Sequence, residues 1–90
     1  MDFEYDPQKS ESNKIKHGID FEEAQAIWTD THSIQLNTTL AEEERFLVVG
    51  MIDETLWTAV ITLRNGNVRI ISVRRSRKDE KQAYDNSRGV

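Results

Sequence analysis

Phe3-Glu4-Tyr5 alternates apolar and polar positions and predicts a short first strand. Asp6-Pro7 then has the chemistry of a helix start: Asp as N-cap and Pro at the first helical position. That helix is expected to run to His17 and stop at Gly18, a residue suited to the left-handed conformation after a helix. Asp20 and Glu23 have the spacing of a capping box, and Phe21, Ala24, Ile27 and Trp28 form a helical apolar stripe, so a second helix is expected up to Asp30. Ser33–Leu36 reads as a short strand and Asn37–Glu44 as a polar loop.

Arg45–Met51, Leu56–Leu63 and Val68–Val73 are rich in β-branched and aromatic types and predict three strands. Asp53-Glu54 is the first turn. Asn65-Gly66 is a strong two-residue hairpin signal, because both positions tolerate positive φ. In the last strand, strict alternation sends Val68, Ile70 and Ser72 one way and Arg69, Ile71 and Val73 the other. A final helix is expected over Arg77–Ser87. The order βααβ, meander, helix predicts an α+β fold: an antiparallel sheet with two N-terminal helices packed on it, a C-terminal helix, and the helices on one face.

Ninety residues make one domain. Without cysteine, neither a disulfide framework nor a thiolate metal site is possible. The chain start lacks a basic, apolar leader and no apolar stretch approaches a membrane span, which predicts a soluble, cytoplasmic protein without membrane contact. A net charge of −4 argues against nucleic-acid binding until its distribution is read. Residues 1–63 carry four Lys/Arg against thirteen Asp/Glu, a balance of −9; residues 64–90 carry eight against three, a balance of +5. An acidic body with a basic end still presents a positive local field.

That basic end gathers Arg64, Arg69, Arg74, Arg75, Arg77 and Lys78 around one strand and its exit. Guanidinium groups suit phosphate because their planar fork donates two parallel hydrogen bonds. The same run also reads as a solvated charged face. Lys9, Asn13 and Lys16 share a helix face, and His17 is either a neutral-pH acid or base or a helix C-terminal residue meeting the last carbonyls. His32 reads as surface, Glu22 and Glu23 as partners of a helix N-terminus, and Trp28 and Trp57 as core. Tyr84 either packs on the sheet or exposes its phenol near the arginines. No metal-ligand spacing, phosphate loop, dinucleotide fingerprint or nucleophile elbow is present, so neither metal nor cofactor is expected.

Two separated stretches resemble one family. Asp6-Pro7-Gln8-Lys9, Asn13 and Lys16-His17-Gly18-Ile19-Asp20-Phe21-Glu22-Glu23-Ala24 resemble the opening signature of BrnT toxins. Val68-Arg69-Ile70-Ile71-Ser72-Val73-Arg74-Arg75-Ser76, with Glu80 and Tyr84, is similar to that family's ending, with Val73 in place of the usual Ala. The resemblance implies a RelE-like fold, a metal-independent endoribonuclease that blocks translation, and a type II toxin–antitoxin system. The implied partners are RNA and a BrnA-like antitoxin with a ribbon-helix-helix domain, through which alone operator DNA is bound.

Carried over by position, the expected catalytic set is Lys16, His17, Arg64, Arg74 and Arg75. The expected RNA-binding set is Lys9, Arg69, Arg77 and Tyr84. In this reading Arg74 and Arg75 hold the scissile phosphate and His17 or Lys16 moves a proton, since charge stabilisation is usually the largest catalytic contribution. The alternative is a non-catalytic or inactive homologue that acts as an antitoxin-binding, co-repressor module.

Overall fold

The computed structural model describes residues 2–38 and 44–89. Five strands form one sheet in the order β1 (Phe3–Glu4), β5 (Asn67–Arg75), β4 (Thr55–Arg64), β3 (Phe46–Ile52), β2 (Ile34–Asn37). Two α-helices, α1 (Pro7–His17) and α2 (Lys78–Ser87), and a 3-10 helix (Glu23–Thr29) pack on it. Part of the expected loop at 37–44 lies outside the described residues, and Asn37 belongs to β2.

The start of α1 follows from its sequence. Asp6 accepts from the Gln8 N–H at 2.9 Å, Pro7 opens the helix, and Gly18 closes it at φ 83° with its N–H on the Lys14 carbonyl. The hairpin turns behave likewise. Asn65 and Gly66 both have positive φ, 53° and 81°, and Asp53 takes φ 54° between β3 and β4. Positive φ at both central residues gives a two-residue turn whose twist matches the strands it joins.

Four expectations are corrected. First, the sheet is mixed rather than antiparallel, because β1 pairs parallel to β5 through Phe3 opposite Val68 and Glu4 opposite Arg69. A two-residue strand carries no sequence mark of its partner. Second, the second N-terminal helix is a 3-10 helix. Its capping box still forms: the Glu23 N–H donates to Asp20 Oδ1 at 2.7 Å and the Asp20 N–H to Glu23 Oε1 at 3.0 Å.

Third, the alternation along β5 breaks. Val60 pairs with Ser72 but Ile61 with Ile70, so Ile71 is the extra residue of a β-bulge. Beyond it the faces exchange. Val73 joins Val68 and Ile70 in the core, and Ser72 leaves that side.

Fourth, the helices lie on both faces. The core face carries Val48, Ala59, Ile61, Val68, Ile70 and Val73, covered by Phe21, Ala24 and Ile27. Phe3 meets Trp28 edge-on at 4.8 Å and Tyr5 meets Phe21 at 5.6 Å, extending this cover. The opposite face carries Val49 and its cross-strand partner Thr58, and receives Glu80 from α2. Tyr84 of the same helix donates to Asp30 Oδ2 at 2.6 Å, and Asp30 also accepts from the Met51 N–H on β3.

Helix α1 is locked to the open edge of β5 by one buried side chain. Asn13 Nδ2 donates to the Val73 carbonyl at 2.9 Å, and Asn13 Oδ1 accepts from the Val73 N–H at 3.2 Å. The same Nδ2 donates to the Ile19 carbonyl at 2.8 Å. A carboxamide thus replaces the strand that would otherwise pair there. Asn13→Ala orphans buried backbone groups and is expected to lower unfolding stability by about 1–3 kcal/mol per unpaired group, read by urea denaturation. At Gly50 an added Cβ would stand 2.8 Å from Ile27 Cγ2 and 2.9 Å from the Ile27 carbonyl oxygen. Gly50→Ala is therefore expected to cost about 1–3 kcal/mol by overpacking, seen as a lower Tm.

Candidate nucleic-acid interface

The bulge at Ile71 decides where the basic residues of β5 point. Before it, Arg69 shares a face with its partner Thr62; after it, Arg74 shares that face with Thr58. Arg75 is turned to the other face with its partner Trp57, and its guanidinium stands 5.8 Å from the Trp57 ring centre.

A cleft of 620 Å³ lies where the β4–β5 hairpin meets the first turns of α1. It is lined by Lys9, Arg45, Arg64 and Arg69, with Glu44, Thr62, Leu63 and Ile71. Lys9 and Arg64 are exposed. Arg69 is partly held by Glu4 at 3.3 Å, a half-exposed pair that contributes little to stability. Thr62 Oγ1 donates to the Glu44 carbonyl at 2.8 Å, which ties the cleft wall to β4. Four cations around one opening form an anion-attracting surface on a chain of net charge −4. Three of them, Lys9, Arg64 and Arg69, were expected from sequence. Arg45 was not, because it stands at the start of a strand with no neighbouring basic residue.

The other expected residues are elsewhere, and this cleft is lined by none of Lys16, His17, Arg74 and Arg75. Lys16 is exposed and His17 half-buried at the C-terminal end of α1, about 10 Å along the helix from Lys9. Gly18, the next residue, lines a smaller cleft of 230 Å³ shared with Trp57. Arg75 stacks on that Trp57. So the residue after His17 and the ring that Arg75 meets line one opening, and Lys9, Arg64 and Arg69 another. Arg75 stands six positions after Arg69 along β5, close to 20 Å of extended chain before the bulge shortens it.

Arg74 and Tyr84 are both engaged in contacts within the fold. Arg74 grips Glu80 with both nitrogens, at 2.7 and 2.8 Å, and its side chain is 20% exposed. Glu80 Oε1 also accepts from Thr58 Oγ1 at 2.9 Å and from the Arg77 N–H at 2.7 Å. Thr58 and Ser76 hydroxyls are 2.8 Å apart. This network pins the start of α2 to β4 and β5. Held in this way, Arg74 lines neither cleft and fixes the strand exit. Tyr84 is only 2% exposed and its hydroxyl donates to Asp30. Arg77 is exposed at the N-cap of α2.

The electrostatics follow these contacts. The bond from Arg74 holds the Glu80 carboxyl at about 2, well below its ordinary 4.5, against the opposing effect of burial. Glu80 in turn raises Arg74. Burial pushes Asp30 up, but hydrogen bonds from Tyr84, Met51 and His32 outweigh it and leave the carboxyl below its ordinary value. Burial and the bond to Asp30 raise Tyr84. Among the described residues, no three His, Asp or Glu side chains converge as metal ligands would, and no helix is long and apolar enough to cross a membrane.

A carboxyl whose folded pKa is lowered stabilises the fold fully above its unfolded value. The Glu80 contribution is therefore complete above about pH 4.5 and is lost as pH falls toward about 2. Glu80→Gln is expected to be less stable at neutral pH and to lack this part of the acid dependence, measured by urea denaturation between pH 2.5 and 7.

The sequence also matches a family. No curated protein shows a significant match to the chain. The model of the family described as "Ribonuclease toxin, BrnT, of type II toxin-antitoxin system" matches residues 5–80, from Tyr5 just after β1 to Glu80 of the Arg74 network. The chain belongs to the BrnT family of ribonuclease toxins of type II toxin–antitoxin systems.

Proposed function

We propose that this chain, as a single domain with a RelE-like fold, is an endoribonuclease that cuts RNA without a metal ion and blocks translation in the cytoplasm. The observation that carries the reading is the cleft that joins Lys9, Arg45, Arg64 and Arg69 across two elements. Phosphate neutralisation supplies most sequence-independent affinity for RNA, and this cleft is placed to supply it. Arg77, exposed at the start of α2, adds a peripheral contact.

The chemistry belongs to the opposite end of α1. The RNA 2′-hydroxyl attacks the adjacent phosphorus, the 5′-oxygen leaves, and a 2′,3′-cyclic phosphate forms. Of His17 and Lys16, one takes the 2′-hydroxyl proton and the other gives a proton to the leaving 5′-oxygen. Arg75 stabilises the charge of the pentavalent phosphorus. Arg74 acts through the backbone it fixes. An extended single strand lying along β5 and α1 reaches both sets of residues.

The partner in this reading is a BrnA-like antitoxin with a ribbon-helix-helix domain, which covers the basic surface and carries the complex to operator DNA. A second reading has its own observation: the expected catalytic residues do not share one cleft. That favours an inactive homologue serving as an antitoxin-binding co-repressor module. Induced expression with primer extension of cellular RNA separates the two. The enzyme gives site-specific cuts that vanish with His17→Ala and with Arg75→Ala; an uncut RNA pool under wild-type induction supports the co-repressor module. In the enzyme reading, Arg64→Ala with Arg69→Ala is expected to weaken RNA binding at least tenfold. It should also reduce the slope of log K against log salt by about 1.4, since each single-strand phosphate contact contributes about 0.7.

A further inference from the structure

The 230 Å³ cleft lined by Gly18 has walls of two kinds. Ile19, Ile52 and Trp57 are apolar, and Asp53 and Glu23 are carboxylates. It falls below the roughly 300–1,000 Å³ range of small-molecule pockets, so it admits one planar ring system rather than a whole dinucleotide. Trp57 is a partly buried residue packed on the core, so its ring is held rather than free to rotate. Arg75 stands over that ring.

The two carboxylates are not equivalent. Glu23 is committed to the Lys14 ammonium at 2.7 Å and to the Asp20 N–H at 3.0 Å. Asp53 has no hydrogen-bond or ion-pair partner among the described residues. It is exposed in the two-residue turn between Ile52 and Thr55, with φ 54°. The paired flanking strands, closed by Ile52 opposite Thr55, hold the backbone of this turn.

We propose that this cleft is a guanine-binding subsite, in which Asp53 reads the base edge and Trp57 with Ile52 supplies the apolar wall. A carboxylate only accepts hydrogen bonds, through two oxygens side by side. Guanine alone among the RNA bases offers two adjacent donors on one edge, N1–H and the N2 amino group. Cytosine and adenine place an acceptor beside their amino group, and the uracil N–H lies between two carbonyls. Recognition of splayed single-stranded bases through stacking and edge contacts is the usual means of sequence-specific RNA binding. Because Gly18 follows His17 and Arg75 covers Trp57, a base seated here brings its own phosphate toward both residues. The inference deepens the ribonuclease reading and rests on it for the identity of the ligand class.

The test is an NMR titration of the full-length protein with GMP, AMP, CMP and UMP in turn, following the Trp57 indole and the Gly18 and Thr55 amides. GMP is expected to bind at least tenfold more tightly than the other three, and Asp53→Asn to abolish that preference. Asn tolerates positive φ, so this variant keeps the turn, and an unchanged melting curve verifies it. Glu54→Gln, on the same turn but not lining the cleft, retains the preference. Equal binding of the four nucleotides, shifts confined to the Arg69 cleft, or a preference that survives Asp53→Asn overturns the proposal. A map of cleavage sites separates the two readings. Guanine-selective binding without any RNA cutting leaves the subsite standing and removes the nuclease. RNA cutting with indiscriminate mononucleotide binding does the reverse.

Discussion

One side chain determines how the helical and sheet parts of this protein meet. Asn13 presents its carboxamide to the N–H and carbonyl of Val73, as a neighbouring strand would. Strand β1 covers only the first part of the β5 edge, at Val68 and Arg69. Beyond that, the buried edge of β5 needs another partner, because unpaired backbone groups in the interior are costly. Asn13 meets the need from a helix. Its third bond, to the Ile19 carbonyl, fixes the chain after the Gly18 turn, and Ser10 adds a bond from the Phe21 N–H. The result is a helix held beside β5 along its length, with Lys9 at one end and His17 at the other.

The arrangement of charge follows from that contact and from the bulge at Ile71. Without the bulge, Arg74 would share the face of Val68 and Ile70, and Arg75 would point the other way. With it, Arg74 turns toward α2 and is consumed by Glu80, while Arg75 lies on Trp57. Two neighbouring arginines of one type thereby take different roles. Bulges redirect side chains in this way near functional surfaces. The Arg74–Glu80–Thr58–Ser76 network then holds α2 against the far face of the sheet, and Tyr84 fastens the same helix to Asp30. A buried network of this kind is stable only when every member is paired.

The local features were legible in the chain. Asp6, Pro7 and Gly18 bound α1, Asp20 and Glu23 make their reciprocal box, and Asn65-Gly66 makes its turn. Each depends on interactions within a few residues, which residue type and spacing dictate directly. The family resemblance was also legible, since it rests on residue order, and the family match bears it out. Lys9, Arg64 and Arg69 were recognisable as basic candidates, but their common cleft was not. Arg45 and Asp53 gave no signal, because the clefts they line close only when residues far away in the chain, Lys9 and Arg69 for the one and Gly18 and Ile19 for the other, come beside them.

What the sequence determined by itself is therefore the order of the elements, their ends and turns, the basic character of the last third, and the family. Only the tertiary structure decided the parallel pairing of β1, the 3-10 form of the second helix, and the placement of α2 on the sheet face opposite that helix. It also decided which cations meet and which are spent within the fold. The physical reason is common to these cases. A cap or a tight turn is settled by hydrogen bonds within one segment. Strand partners, the face a side chain takes beyond a bulge, and the pairing of Arg74 with Glu80 depend on groups that come together only when the whole sheet has formed.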